Sequence, residues 1–288
     1  MHVPLAGGGQ ESLLSEVGSQ YLLPLFSTRD ACALRLVCRE FLVAVTQQPW
    51  EDEETVIQGS IGAWRACFPR ALAANVSTRR PVRAVVDADF VHFQGLRALN
   101  MRGCHHVTDA AFVHLRGIHK LDMGWCFQPG VTDAAFAHLR GIHALNMSFC
   151  DQSTITDAAF AHLRGIHTLK MSSCSQASIT DSAFLHLRGI RALQMVGCHQ
   201  AGITDAAFAH LRGIHALDMG YCFQDGITDA AFAHLRGIHT LDMRGCSWRS
   251  ITGSEFAHLE GVSMLVVSDK DLFDVAVKLG LDVHYIDE

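Results

Sequence analysis

Residues 203–222 read ITDAAFAHLRGIHALDMGYC and hold Asp205, His210, Arg212, His215, Asp218 and Cys222 in one short stretch. Imidazole, thiolate and carboxylate are donors that zinc, copper and nickel accept. A thiol beside an imidazole is also the raw material of a nucleophilic centre. Both chemistries need groups that converge from different directions. Metal sites often supply closely spaced pairs such as C-x-x-C, whereas this stretch has a single cysteine.

The elements that would position these residues are set by a repeat. Leu99, Leu121, Leu145, Leu169, Leu193, Leu217, Leu241 and Leu265 occupy one recurring place; the first interval is 22 residues and the other six are 24. Around each lies a near-copy of one phrase, so residues 203–222 are one of about seven units. Within a unit, TDAAFAHLR predicts a helix of about eight residues that cannot stand alone. Thr204 or Asp205 is a good N-cap, and Phe208 and Leu211 share a face. Gly213 suits the left-handed place after the helix. IHALDM, with Ile214, Leu217 and Met219 apolar, predicts a short half-buried strand. Such units bury their apolar faces only by stacking.

Stacking turns each recurring residue into a row, with parallel strands about 4.8 Å apart. Cys104, Cys126, Cys150, Cys174, Cys198, Cys222 and Cys246 form one row, read as small buried side chains whose thiols bond to backbone. Phe112, Phe136, Phe160, Phe184, Phe208, Phe232 and Phe256 form a core row. Two rows of histidine run beside them, one from His114 to His258, the other His119, His143, His167, His215 and His239, interrupted by Arg191. They are read as copied surface residues, with metal binding or pH sensing as rival uses. The row Arg116 to Arg236 is assigned to helix C-termini, where positive charge is favoured, and the Asp of each Thr-Asp pair to the opposite helix end. No catalytic residue, metal ion or cofactor is expected.

The 24-residue period and the spacing L-x-x-L-x-M-x-x-C resemble the leucine-rich repeat, and the Cys followed by Ile-Thr-Asp resembles its cysteine-containing subtype. The resemblance covers about residues 85–265. It implies an α/β solenoid with a parallel concave sheet and convex helices. The positions that break the copying then mark a candidate face. On the strands these are Asn100, Asp122, Asn146, Lys170, Gln194, Asp218 and Asp242, with Arg102 and Arg244 two places on. Trp125, Phe149 and Tyr221 follow in the next column. Aromatic, acidic and cationic side chains on a concave face suit protein recognition, and Phe127, Phe223 and Trp248 would extend its rim.

The N-terminal region does not repeat. Residues 13–41 read LLSEVGSQYLLPLFSTRDACALRLVCREF, two apolar helical segments about a polar turn at Ser27–Asp30. The second segment predicts a stripe through Leu34, Val37, Cys38 and Phe41. So short a piece exposes more apolar surface than it covers, which predicts a partner. The close, Leu34-Arg-Leu36-Val37-Cys38-Arg-Glu-Phe41, resembles the F-box, whose usual opening Leu-Pro here reads Leu13-Leu14. Pro24 predicts that the first helix stops near Leu22. The resemblance implies docking through Leu13, Leu14, Val17, Leu22, Leu34, Leu36, Val37, Cys38 and Phe41 onto a Skp-type adaptor of a cullin ubiquitin ligase. The repeats would hold a target protein. The implied layout is a leader at 1–10, a small all-helical F-box at 11–50, a connector and cap at 51–84, repeats at 85–265 and a C-terminal cap at 266–288, itself read as helix then strand. A free-standing leucine-rich-repeat scaffold or inhibitor, and a metal-binding histidine array, are the alternatives.

The totals narrow the classes. The 288 residues are 49% hydrophobic, with a net charge of −6 and a pI of about 6.3. That argues against a general nucleic-acid binder, which shows a basic surplus or stripe. No run of about eighteen apolar residues predicts a membrane span. MHVPLAGGGQ lacks the pattern of a secretory signal, so the ten cysteines are expected to be reduced and the protein cytoplasmic or nuclear.

Overall fold

The computed structural model describes residues 22–77, 84–246 and 250–287. Leu13, Leu14, Val17 and Trp248 lie outside the described residues. The chain divides after Asn75 into two compact units.

In the first unit a 3-10 turn at Leu23–Leu25, containing Pro24, precedes helices Thr28–Leu34, Arg39–Gln47 and Ile61–Cys67 and a strand, β1 (Ala73–Asn75). The expected turn at Ser27–Asp30 is instead a helix start. The Ser27 hydroxyl accepts from the Asp30 N–H at 3.2 Å, and the Asp30 carboxylate accepts from the Ser27 N–H at 3.3 Å. This reciprocal cap satisfies two N–H groups that a helix end leaves open. The expected stripe from Leu34 to Phe41 is also divided. One helix ends at Leu34, and Cys38 precedes the next in extended backbone at φ −156°. Leu36 and Val37 sit in the exposed connection between them. The core collects Leu23, Ala31, Val45, Trp50 and Phe68. Trp50 packs edge-on against Phe68, and its Nε1 donates to the Val45 carbonyl at 2.9 Å.

The second unit is built on nine three- or four-residue strands: β2 (Ala98–Asn100), β3 (Lys120–Asp122), β4 (Ala144–Asn146), β5 (Thr168–Lys170), β6 (Ala192–Gln194), β7 (Ala216–Asp218), β8 (Thr240–Asp242), β9 (Met264–Val267) and β10 (Val283–Tyr285). Each pairs in parallel with the next, and the repeat leucines stand opposite one another, Leu99 to Leu121 and onward to Leu265. The leucine, methionine, isoleucine and phenylalanine rows are buried beneath one sheet face. Helix Lys270–Lys278 and β10 end the unit in the expected order.

The α-helix in most repeats is shorter than expected, although a 3-10 turn continues it at Val113–Leu115 and Leu185–Leu187. Asp205–Phe208 is four residues long, as are its counterparts at Asp109, Asp133, Asp157 and Asp181. A single turn gains too few internal hydrogen bonds to hold itself; its neighbours hold it. Thr228 donates its N–H and its hydroxyl to the two carboxylate oxygens of Asp205, one repeat earlier, both at 2.7 Å. The same clasp joins Thr180 to Asp157 and recurs along the array. The Asp row therefore ties repeats together besides facing a helix N-terminus.

The Arg row lies at helix ends only in part: Arg116 and Arg188 directly follow the 3-10 turns Val113–Leu115 and Leu185–Leu187, whereas the helix ends four residues before Arg212. Each Arg also reaches the next repeat. Arg116, Arg140 and Arg164 donate through Nε to Nδ1 of His138, His162 and His186, each at 3.3 Å. The cysteine row is buried, and Cys222 Sγ donates to the Met195 carbonyl at 3.1 Å. A glutamine row escaped the sequence reading: Gln152 and Gln224 donate to the Cys126 and Cys198 carbonyls at 3.0 and 2.7 Å.

Candidate binding face of the repeat sheet

Alternation along a strand sends Leu217 into the core and its neighbours Ala216 and Asp218 to the open face. The open face thus carries two strand columns. The Asp218 column was singled out from the sequence. The column of Ala98, Lys120, Ala144, Thr168, Ala192, Ala216 and Thr240 was missed, although period-two alternation marks it equally. Together they line a shallow depression of about 210 Å³ among Thr168, Lys170, Ala192, Gln194, Ala216, Asp218 and Thr240.

Most of the Asp218 column has a structural task. Asn100, Asp122, Asn146, Asp218 and Asp242 each accept, through Oδ1, the backbone N–H two residues ahead, at 2.9–3.3 Å. That local bond turns the chain out of the strand. Lys170 and Gln194 are the departures. Lys170 is exposed, and Gln194 donates through Nε2 to Asp218 Oδ2 at 3.1 Å. Burial raises the Asp218 pKa, with the Asp242 charge adding to it and the Gly220 N–H bond opposing it. Arg244 pairs with Asp242, so that acid carries its own counter-charge. Arg102 instead lies over the Trp125 ring, 5.8 Å from its centroid.

The next column holds the sharper signal. Trp125, Phe149, Ser173 and Tyr221 have φ of 62°, 61°, 55° and 54°, and the equivalent Gly103, Gly197 and Gly245 share that left-handed backbone. A residue with a Cβ pays about 1–2 kcal/mol there. Trp125, Phe149 and Tyr221 are also 40%, 37% and 42% exposed. Large rings held at strained positions and left in water are a functional signal. Trp125 and Phe149 stack at 4.2 Å. Tyr221 lies across Gly245, where any Cβ would collide with its ring. Ser173 and Gly197 separate the two aromatic groups. Phe127 and Phe223 extend each group, against His105 and His199 at 4.7 and 5.3 Å.

The histidines do not gather as metal ligands. His119, His143 and His167 stack face to face at 5.5 and 4.8 Å. Among the described residues no group of three or more His, Cys, Asp or Glu converges on one point.

In the first unit, Leu22, Leu36 and Val37 are exposed, at 44%, 84% and 68%, while Leu34, Cys38 and Phe41 are half-buried. Leu25 and Val43, not singled out from the sequence, are also exposed, at 80% and 54%.

No family model matches the chain, and no curated protein matches it. Solved structures do. TLR13, from a complex with ssRNA13, aligns with TM-score 0.60 and 18% identity over 80% of this chain and 33% of its own. An internalin (inlF) of Listeria monocytogenes aligns with TM-score 0.59 and 16% identity over 86% and 72%. Human 5T4, the Wnt-activated inhibitory factor 1, gives 0.52 and 15% over 81% and 82%. The fold is a leucine-rich-repeat solenoid. The chain spans about a third of the length of TLR13, and identities this low speak for fold alone. Among the described residues no helix is long and apolar enough to cross a membrane, and all ten cysteines are free thiols.

Proposed function

We propose that this chain is a substrate receptor of a cullin-type ubiquitin ligase, with residues 11–50 as an F-box and the concave face of the repeats as the target-binding surface. Its repeats would be of the cysteine-containing subtype, between a connector and cap at 51–84 and a second cap at 266–288. The observation that carries the reading is the uncovered apolar surface of the first unit. Leu25, Leu36, Val37 and Val43 are exposed on and beside the helices Thr28–Leu34 and Arg39–Gln47, in a unit whose core is already filled by Leu23, Ala31, Val45 and Trp50. Several large apolar side chains left in water on so small a unit support a binding partner. The target would meet Lys170, Gln194 and Asp218 and the rings of Trp125, Phe149 and Tyr221. The chain itself would do no chemistry; it would hold two proteins together.

A free-standing leucine-rich-repeat binder is the second reading, favoured by the fold likeness to internalins. One measurement separates them. Purified full-length chain is mixed with a Skp-type adaptor, and capture is compared with that of Leu36→Asp/Val37→Asp. Capture by wild type and at least tenfold loss in the variant is the expected result. No capture, or capture that tolerates both charges, removes the ligase reading and leaves the binder.

A further inference from the structure

We infer that the edge of the solenoid at the N-terminal ends of the strands binds a linear polyanion, the phosphodiester backbone of a single-stranded nucleic acid. This is independent of the F-box reading. The loops entering β2 to β8 (residues 94–98, 114–120, 138–144, 162–168, 186–192, 210–216 and 234–240) contain no Asp or Glu. They contain the six repeat arginines Arg116, Arg140, Arg164, Arg188, Arg212 and Arg236, with Arg97 and Arg191 beside them. All eight are exposed. Among the described residues none of these eight is in an ion pair. Because the strands are parallel and in register, the loops stack into one row.

The bonding within the row fixes what it offers. Each repeat arginine donates to Nδ1 of a histidine in the next repeat, from Arg116 to His138 at 3.3 Å through to Arg236 to His258 at 2.8 Å. A guanidinium can only donate, so Nδ1 must accept, and the neutral ring keeps its proton on Nε2. The remaining arginine N–H groups and the imidazole Nε2–H are all donors, the last of them, on His258, being taken up by Glu255 at 2.8 Å. The bond also holds each guanidinium in place without neutralising it. The acidic residues stand outside these loops: Asp109, Asp133, Asp157, Asp181, Asp205 and Asp229 begin the helices, after the loops that leave the strands, and Glu255 meets the row at its last imidazole, His258. The net charge of −6 therefore conceals a basic stripe of the kind that serves as an electrostatic footprint for nucleic acid. Its rungs recur with the strands, about every 4.8 Å, and neighbouring imidazoles in the same loops lie 5.5, 4.8 and 4.4 Å apart. A stacked strand presents a phosphate about every 3.4 Å. A flexible strand can stretch to meet such a ladder, whereas a stiff duplex touches a straight row at few points.

The test is fluorescence anisotropy of a labelled oligodeoxythymidylate with the full chain across a salt series. A dissociation constant of about 1–100 μM and a slope of about −3 to −4 in log K against log salt are expected, for about five contacts. Arg140→Gln/Arg164→Gln/Arg188→Gln should weaken binding at least tenfold and flatten the slope by about 2. Lys278→Gln, on the last helix, should leave both unchanged, and thermal melting confirms that each variant is folded. Absence of binding at low salt, or binding that the triple variant leaves intact, overturns the proposal. So does binding of labelled inorganic polyphosphate without binding of the oligonucleotide. Salt-sensitive self-association in sedimentation velocity, lost in the triple variant and without oligonucleotide binding, would assign the arginine row to acidic side chains of a second copy instead.

Discussion

The two units handle apolar side chains in opposite ways. In the repeats, Phe112 to Phe256 and Leu99 to Leu265 are almost wholly buried, because every repeat is covered by the next. In the first unit, Leu25 and Leu36 stand 80% and 84% exposed on a small helical body. A stack of copies closes its own core; a short unrepeated segment cannot. The difference shows where apolar side chains are covered within the chain and where they are left in water.

The largest effect should separate the units by pH. Burial pushes the thiols of Cys104, Cys126, Cys174 and Cys222 up to about 12 from an ordinary 9.0, and those of Cys150, Cys198 and Cys246 upward as well. In the unfolded chain these thiols ionise near 9.0. Between about pH 9 and 12 the unfolded state has therefore released protons that the folded state still holds. Linkage then lowers stability as pH rises. With reductant present, far-UV circular dichroism should show the sheet signal collapsing across that window. Cys174→Ala/Cys198→Ala should move the collapse to higher pH. A sheet that persists to pH 12, or a midpoint the double variant does not move, would break the link between burial and this row.

A smaller effect tests whether the repeats are packed as tightly as their burial implies. Phe184 is fully buried in an inner repeat. Phe184→Ala should cost about 3–5 kcal/mol in urea unfolding, since flanking repeats can collapse only partly into the cavity. A cost below about 1 kcal/mol would mean that the array relaxes around a missing ring, and the contrast with the first unit would lose its basis.

The repeat period, the buried rows and the short strands were legible because copying repeats the same weak signal many times. What lay between copies was not. The clasp of Thr228 on Asp205 and the reach of Arg116 to His138 join residues 22 or 23 apart. Neither helix propensity nor a local motif reports such contacts. The helix length was misread for the same reason: TDAAFAHLR has good helix formers, but at Phe208 and its counterparts the α-helix stops after one turn, continued by a 3-10 turn only at Val113–Leu115 and Leu185–Leu187. On the open face, the Asp218 column looked like free variation. In five of its members the side chain turns the backbone, and only the departures at Lys170 and Gln194 lack that bond. The strain at Trp125, Phe149 and Tyr221 had one visible trace, the glycines at positions 103, 197 and 245 of the same column. In the unrepeated first unit there was no copying to average over, and a capped helix start at Ser27 passed for a turn.

The smallest effect is the most discriminating for the first unit. At 84% and 68% exposure, Leu36 and Val37 contribute little to its core. Leu36→Asp/Val37→Asp should therefore change the free energy of unfolding by no more than about 0.5 kcal/mol per site, the range of ordinary surface substitutions. Their apolar character then has no use within the unit itself. If the pair costs several kcal/mol instead, these side chains are packed in the isolated protein. The first unit would then be self-covered like the repeats, and the reason for assigning it a partner would be gone.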